Sequence, residues 1–365
     1  MNVCFLGAYD PAYPRNAVLR RGLELAEAEV RECRLPPSIK FWMRYPLALA
    51  RFTRAAWKSD LILVPEFCQK DVPLARFFAL LFAKRVVFDP LAARYETKII
   101  DWRRRKPGSF AAKWNFFIDR WAFRLSDLVL ADTQAHKDYY CRAYGLSGSK
   151  VAVLPIGYDD RLFQPVAPPM KKGAPFTVLF FGSFLPLHGA ESIVEAAALV
   201  FRQDPTVRFK FIGSGQTLGA ARIKADCLGL RSVEFEGWLR PGELPLRIAE
   251  ADICLGIFGA TEKARRVVPH KIFQALGMKK PVVTARTPAA EEFFSHKKDI
   301  YFCDPPYPKT LAAAVLTLKA NGRLRRDLAD RGQRLTARQY SPRSLGRRLF
   351  QICEEETGDR TRNRP

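Results

Sequence analysis

The sequence predicts an α/β protein of two domains, each a doubly wound parallel β-sheet with helices on both faces. Short apolar runs rich in β-formers alternate with helix-like segments through both halves of the chain. The runs are almost continuously apolar, which is typical of strands buried on both faces. A proline-rich stretch, QPVAPPMKKGAP, separates the two halves, and 365 residues provide material for two cores.

These patterns set the expected domain boundaries. We expect a first domain over residues 1–163, a linker over 164–175, a second domain over 176–338, and a C-terminal segment over 339–365. The last segment is expected to contain a helix that crosses back to the first domain, followed by a polar tail.

The expected strands direct attention to the turns that follow them, because ligands of parallel sheets bind beyond the carboxyl ends of the strands. In the first half the strand-like runs are NVCFLGAY, LILVPEF, RVVFDPL, LVLADT and VAVLPIG. In the second half they are FTVLFFGS, VRFKFIGSG, VEFEGW, DICLGIFG, PVVTA and IYFCDP.

Two turns of the first half carry candidate site residues. Gly7 and Tyr9 follow the first strand, in a turn that either lets a substrate approach the backbone or is an ordinary strand-to-helix connection. Asp89 ends a later strand, where its carboxylate could orient a ligand hydroxyl or simply form the turn. His136, in DTQAHKDYY, is interpreted as a structural or helix-start residue.

The most informative stretch runs from Ala251 to Phe294. A buried strand is followed by a loop with four cations and then by a helix that starts near Pro269; the cations are Lys263, Arg265, Arg266 and Lys271. A helix N-terminus offers free N–H groups and a positive dipole end, so this arrangement favours an anion such as a phosphate. The alternative is a solvated basic loop.

The segment VPHKIFQALGMKKPVVT resembles the nucleotide-binding segment of the retaining GT-B glycosyltransferases of the glycosyltransferase family 4 group. VLFFGSFLPLHGAESIVEAA resembles the first strand and loop of their donor domain, with Gly182 and Gly189 at matching positions, and VEFEGWLRPGELP resembles the strand before their base-binding turn. The resemblance implies two facing Rossmann-like domains with an interdomain cleft. It also implies transfer of a sugar from a nucleotide-diphosphate donor with retention, without a metal and without a cofactor beyond the donor itself.

The resemblance, together with the charge that a diphosphate requires, suggests roles for individual residues. Gly7 and Tyr9 would lie on the acceptor side, and Asp89 would orient a sugar hydroxyl. Lys263, Arg265, Arg266 and Lys271 would bind the diphosphate, and His188 the phosphate or the sugar. Gln274 would contact ribose or sugar hydroxyls, Thr287 and Glu291 would lie in the sugar-side loop, and Trp238 would present backbone groups to a nucleobase or cap the core. Asp89, His188 and Gln274 are the candidate catalytic residues, and no metal ligands are expected.

The chain departs from the family pattern at two places. Members usually carry two glutamates eight residues apart, and the matching positions here are Arg266 and Gln274. The loop after Gly182 also lacks the usual Arg and Lys, so the cations at 263–271 are the expected substitutes, because an unpaired buried anion is costly. An alternative function is a non-catalytic nucleotide-sugar-binding or scaffold subunit of a membrane-associated glycan assembly.

The formal net charge of +23 is spread over both halves and favours anionic partners. No readout motif supports nucleic acid, so a nucleotide sugar and a glycan or lipid-linked acceptor are the expected partners. The eight cysteines form no CxxC pair, and no run approaches the roughly 20 apolar residues of a spanning helix. We therefore expect a cytoplasmic protein, with peripheral attachment to a membrane as an open alternative.

One basic segment suggests such an attachment. Residues 40–58, KFWMRYPLALARFTRAAWK, interleave cations with large aromatics and contain no acidic residue, a composition that suits an anionic lipid interface. The alternative is an amphipathic helix on its own domain. Pro46 is expected to split the segment in two, and FFALLFA at 77–83 is expected to be a core helix.

Overall fold

The computed structural model describes residues 1–36, 38–166, 173–240 and 242–362, with side chains described for all of them except 41 and 356–362. The chain divides into two compact units. The first comprises Met1–Gly157 and Ser341–Pro365, and the second comprises Tyr158–Tyr340. The central part of the expected linker, 167–172, and the last residues of the expected tail, 363–365, lie outside the described residues.

The first unit contains a six-stranded parallel sheet in the order β2-β1-β3-β4-β5-β6. Its strands are β1 (Asn2–Gly7), β2 (Glu29–Arg34), β3 (Leu61–Val64), β4 (Arg85–Phe88), β5 (Leu128–Ala131) and β6 (Val151–Val153). The sequence predicted all of these except β2. That strand, EVRECR, is a partly exposed edge strand with charged residues, so it lacks the apolar run by which the others were recognised.

The helices of the first unit are α1 (Pro14–Leu25), α2 (Phe41–Lys58), α3 (Val72–Leu81), α4 (Phe110–Leu125) and α5 (Gln134–Tyr144), with a π-helical turn at Glu96–Asp101. The connections from β2 through β5 all advance in one direction along the sheet. Since parallel crossovers are right-handed, α2, α3 and α4 cover the same face, and α3 contacts both α2 and α4.

Two expectations about these helices were wrong. Pro46 does not split residues 40–58, because it lies near the start of α2, where its missing N–H removes only one intrahelical bond. The helix α3 was expected to be a core helix, but only one side of it is buried. Phe78 is buried, whereas Phe77, Leu80 and Leu81 are half or more exposed.

The second unit contains another six-stranded parallel sheet, in the order β12-β11-β10-β7-β8-β9. Its strands are β7 (Thr177–Phe181), β8 (Arg208–Ile212), β9 (Val233–Glu236), β10 (Ile253–Leu255), β11 (Val282–Ala285) and β12 (Tyr301–Cys303), each of which the sequence predicted. Its helices are α6 (Ala190–Gln203), α7 (Leu218–Cys227), α8 (Leu244–Glu250), α9 (His270–Gly277), α10 (Pro288–Glu291), α11 (Tyr307–Ala320) and α12 (Gly322–Gln339).

The last helix, α13 (Pro342–Arg362), belongs to the first unit and packs along α1. Contact between the two helices is close because Gly22 and Gly346 face each other: a Cβ on Gly346 would lie 1.9 Å from the Gly22 carbonyl oxygen. Both units thus have the predicted doubly wound α/β architecture. Within the described residues, no helix is both long and apolar enough to cross a membrane.

Candidate functional site

The carboxyl edge of the second sheet is shaped by glycines. Gly182 follows β7 with φ +119°, and Gly213 follows β8 with φ +136°. A Cβ on Gly213 would lie 2.0 Å from the Gly182 carbonyl oxygen, so only glycine allows these two turns to touch. The absence of a side chain at Gly182 leaves space for Lys271, whose Nζ lies 3.4 Å from where a Gly182 Cβ would be.

Lys271 is the central side chain of this edge. It lies in the first turn of α9, which begins after Pro269, and it is buried. Its ammonium group has no hydrogen-bond partner in the described part of the chain and sits 3.8 Å from the centroid of the Phe180 ring. Burial holds the pKa of Lys271 well below that of an ordinary lysine. A lysine at a helix N-terminus also opposes the helix dipole, so this position is electrostatically unfavourable until an anion arrives.

His188 adds a second titratable group beside Lys271. It is buried at the end of a short 3-10 turn, and its Nδ1 contacts the Ser183 carbonyl oxygen. Burial, and then the charge of Lys271, hold the pKa of His188 well below its usual value. The ring is therefore neutral at pH 7, Nδ1–H donates to the Ser183 carbonyl oxygen, and a bound anion would favour protonation of Nε2.

The cations of the preceding loop are arranged unequally. Lys263 is buried, and its charge helps to lower the pKa of His188. Arg266 is partly buried and forms an ion pair with Glu262 at 3.6 Å, whereas Arg265 is exposed. The structure thus brings Gly182, His188, Lys263 and Lys271 together.

The remaining candidates of the second unit lie around this group or apart from it. Gln274 is buried on α9, three residues after Lys271, so both lie on the same side of the helix. Thr287 caps α10 by accepting a hydrogen bond from the Ala290 N–H at 3.1 Å. Glu291 is bound to Arg286 at 2.8 Å, and Trp238 is 64% exposed in the loop after β9. An exposed Trp238 does not cap the core, so that alternative is excluded.

The first unit carries the acceptor-side candidates. Gly7 ends β1 with φ +155°, and a Cβ there would lie 2.9 Å from the Cys68 sulfur. The next N–H, of Ala8, donates to the Asp71 carboxylate at 2.9 Å. Tyr9 is buried, and its hydroxyl has no hydrogen-bond partner among the described residues. A close-packed turn of this kind explains Gly7 by packing alone, and its role toward a substrate stays a prediction.

Asp89 lies in a buried ion pair that the sequence does not predict. Both of its oxygens accept from Arg15, at 2.8 and 3.0 Å, and Arg15 also donates to the carbonyls of Leu154 and Pro155. Arg15 and Asp89 are almost fully buried. Arg15 lies in the first turn of a helix, where a cation is unfavourable, and this signals a compensating anion without identifying Asp89 as the partner.

His136 is held between two carboxylates, as expected for a structural residue. Its ring nitrogens lie 2.6 Å from Asp132 and 3.0 Å from Glu96, and all three residues are buried. Burial alone would lower the pKa of His136, but the charges of Glu96 and Asp132 outweigh it and raise the pKa to about 9. A buried carboxyl of the first unit is also shifted. Burial first, and the charge of Asp89 second, raise the pKa of Glu66 to about 9. In the described residues, no group of three or more His, Cys, Asp or Glu side chains could hold a metal ion.

Two family models match the chain. The model described as a glycosyl transferase 4-like domain matches residues 2–157, and the model described as glycosyl transferase-like matches residues 191–351. Together the matches span most of both units. The chain therefore belongs to the glycosyltransferases, with a family 4-like first domain.

Solved structures of the GT-B fold cover nearly the whole chain. Anabaena HepE in complex with UDP-glucose is 18% identical, with a TM-score of 0.71 over 97% of this chain and 100% of that one. Sucrose-phosphate synthase from Thermosynechococcus elongatus is 16% identical, with a TM-score of 0.72 over 98% and 100%. These likenesses establish the predicted fold, two Rossmann-like domains of the GT-B class.

A curated relative matches a shorter stretch. Mannosylfructose-phosphate synthase from Agrobacterium fabrum is 24% identical over 149 residues, which represent 36% of this chain and 32% of that protein. The match spans about a third of the relative's length.

Proposed function

We propose that this glycosyltransferase moves a sugar from a nucleotide-diphosphate donor to a glycan or lipid-linked acceptor, with retention at the anomeric carbon and without a metal ion. One observation carries the proposal: Lys271 holds a buried ammonium group without a hydrogen-bond partner in the described residues, at the N-terminus of α9. An anionic ligand supplies the negative charge that this position lacks.

The donor diphosphate is the anion that fits best. Lys271 and Lys263 both place positive charge near His188, and the first N–H groups of α9 point beyond its N-terminus. The arrangement stabilises the charge that develops on the diphosphate as its bond to the anomeric carbon breaks. The diphosphate keeps the electron pair, and the acceptor hydroxyl bonds to the carbon and releases its proton. With charge compensation from side chains, the donor needs no metal ion.

The other donor contacts follow from position. Gln274, one helical turn after Lys271, would bind ribose or sugar hydroxyls, and Thr287 with Glu291 would line the sugar side. Trp238 would meet the nucleobase from its exposed loop. On the acceptor side, Gly7 and Tyr9 would approach the acceptor, and Asp89 would orient a hydroxyl through its lone pairs that do not face Arg15.

UDP-glucose is the first donor to test, because the Anabaena neighbour is described in complex with it. We expect a UDP-, GDP-, ADP- or dTDP-sugar to raise the melting temperature of the chain, and turnover of that sugar to persist in EDTA. NMR of the product then gives the anomeric configuration. Loss of turnover in EDTA would remove metal independence, and an inverted product would remove retention.

A second candidate is a non-catalytic nucleotide-sugar-binding subunit. It is favoured by Arg266 and Gln274, which occupy the positions where the family usually has glutamates, and by the pairing of Arg266 with Glu262. This candidate predicts a thermal shift with a nucleotide sugar but no turnover with any acceptor. Detection of hydrolysis or transfer by the purified chain would exclude it.

Membrane attachment through residues 40–58 belongs to the same proposal. The segment forms the single helix α2, and its two tryptophans, Trp42 and Trp57, are more than half exposed. Exposed tryptophans among cations are available to an anionic lipid surface.

A further inference from the structure

A second exposed apolar surface lies on α3 and α4. Four large aromatic side chains, at least about half exposed, follow one another along α4 at helical spacing: Phe110, Trp114, Phe117 and Trp121. The Trp114 and Phe117 rings stack at 5.6 Å, and Phe117 lies 5.7 Å from Trp121. On the neighbouring α3, the exposed large side chains are Phe77, Leu80 and Leu81. We call these seven residues the aromatic face.

Exposed charge in the segment that carries the aromatic face has one sign. The exposed residues of α4 other than the four aromatics are Lys113, Arg120 and Arg124. Directly before α4 lies a run of four exposed cations, Arg103–Lys106. No carboxylate is exposed between residues 61 and 125, all of which are described. The six carboxylates of this segment, Glu66, Asp71, Asp89, Glu96, Asp101 and Asp119, are each at most 3% exposed.

The buried carboxylates are held in place by local bonds. Asp119, the acid of α4, points inward and accepts from the N–H groups of Arg94 and Tyr95 at 2.9 and 2.7 Å. The fold thus turns each acid of this region inward and leaves aromatics and cations outside. Aromatic side chains flanked by cations favour a partner that is anionic at its surface and apolar inside.

We propose that the aromatic face docks the first unit onto an anionic lipid bilayer. Tryptophan and phenylalanine rings insert at the level of the headgroups, while the flanking lysine and arginine side chains bind the lipid phosphates. A second copy of the chain suits this surface less well. Two α4 helices related by a two-fold axis would bring like charges together without an acid to compensate them.

The same layer contains α2, so the proposal must be separated from attachment through residues 40–58. The helix α2 carries Trp42 and Trp57, and it contacts α3. The aromatic face is more continuous, because its rings on α4 contact one another. We therefore expect α4 to contribute more to lipid binding than α2.

The test is vesicle flotation of the full chain, which needs no donor, acceptor or turnover. Vesicles of phosphatidylcholine with about a third phosphatidylglycerol are expected to bind the chain, pure phosphatidylcholine vesicles much less, and salt to weaken binding. Trp114→Ala with Trp121→Ala should weaken partition at least about tenfold. Arg120→Gln with Arg124→Gln should weaken it about fivefold per cation at low salt.

Two matched variants serve as controls. Ile223→Ala with Leu246→Ala removes exposed apolar side chains from the second unit and should leave vesicle binding unchanged. Trp42→Ala with Trp57→Ala should have a smaller effect than the α4 pair. Because the altered tryptophans are half exposed, the melting temperature should stay within a few degrees of the unaltered chain.

Several outcomes would overturn the proposal. These are the absence of binding to the anionic vesicles, unchanged binding by the folded α4 variants, or loss of binding only in the α2 variant. If the chain does not bind vesicles but forms a dimer in mass photometry, and substitution of Trp114 and Trp121 dissociates that dimer, the aromatic face binds a second copy instead. None of these outcomes depends on whether the donor site is active, so this inference and the proposed sugar transfer fail separately.

Discussion

The two sheets differ in whether the buried charges at their carboxyl edges have partners within the chain. In the first unit the buried charges are paired within the chain: Arg15 with Asp89, His136 with Asp132 and Glu96, and Arg44 with Asp71. In the second unit Lys271 is buried with only an aromatic ring beneath it and a neutral histidine beside it. We call the carboxyl edge of the first sheet, where the buried charges are paired, the closed edge. The carboxyl edge of the second sheet, where Lys271 lacks a partner among the described residues, is the open edge.

The difference shows how a common fold acquires a site. A buried ion pair contributes little net stability, but removal of one partner leaves a costly unpaired charge. The first unit has its partners built in. In the second unit the missing partner is the feature that selects an anionic ligand.

The largest expected effect tests the closed edge. Arg15→Met leaves the Asp89 carboxylate buried without its cation, so we expect it to destabilise the first unit by about 3–5 kcal/mol. Urea unfolding followed by hydrogen exchange of the β4 amides reports on this unit separately from the second.

The double variant Arg15→Met, Asp89→Leu removes both charges and should recover most of the lost stability. If Arg15→Met costs less than about 1 kcal/mol, the pair is not the structural element that its burial indicates.

The open edge should respond in ligand affinity rather than in stability. We expect Lys271→Ala to raise the apparent dissociation constant of the donor about ten- to a hundredfold, or about 1.5–3 kcal/mol, because a charge-assisted contact is lost. The melting temperature of the ligand-free chain should barely move or should rise, since a desolvated cation is removed. Calorimetric titration with UDP-glucose measures the first quantity and a thermal scan the second.

The exposed Arg265 provides the matched control, and its change to Ala should weaken binding much less than Lys271→Ala. A donor complex with the diphosphate more than a water's width from Lys263, Arg265, Arg266 and Lys271 would contradict the assignment.

Proton linkage sharpens the contrast further. The pKa of Lys271 is lower in the folded chain than in the unfolded chain. At pH values between these two pKa values the unfolded chain binds one more proton than the folded chain, so the free energy of unfolding rises with pH. A bound diphosphate raises the pKa of Lys271, and within that window binding takes up protons. Donor affinity should therefore fall as pH rises, by up to about tenfold per pH unit for each proton.

Calorimetry in buffers of different ionisation heat counts those protons. Lys271→Gln should reduce the uptake, whereas Arg323→Gln on α12 should leave it unchanged. Equal uptake by the Lys271 variant and the unaltered chain would show that another group titrates. For the closed edge the sign is opposite: the stabilisation from His136 is fully present below its unfolded pKa and is lost as pH rises through about 9.

The fold was largely predictable because buried parallel strands leave continuous apolar runs. The prediction failed at β2, whose polar edge residues carry no such run, and at α2, where one proline near the helix start does not interrupt the helix. The exposed face of α3 was missed for a related reason: FFALLFA is apolar on all sides, so its composition cannot say which face meets solvent.

The open edge was foreseen in part, because its cations cluster at the start of a helix, a local pattern that the sequence displays directly. Lys271, His188 and Gly182 were expected at a phosphate site, and the structure places them together. The closed edge was not foreseen. Arg15 and Asp89 are 74 residues apart, and only the folded sheet reveals that they meet.

The smallest expected effect concerns Gln274, which separates a tuned enzyme from a binding subunit. Its amide both donates and accepts, whereas a glutamate at this position would only accept from a hydroxyl. Gln274→Glu also places a carboxylate on the same side of α9 as Lys271, where it would compete with the diphosphate for that cation. We expect the fold to be kept, donor affinity to fall by less than it does in Lys271→Ala, and the preference among nucleotide sugars or the rate to change. Thermal unfolding, followed by competition between donors at fixed acceptor, measures these effects, and Gln274→Met controls for the loss of the amide alone. If both variants bind and turn over donors like the unaltered chain, Gln274 has no part in the site, and the open edge is defined by its cations only.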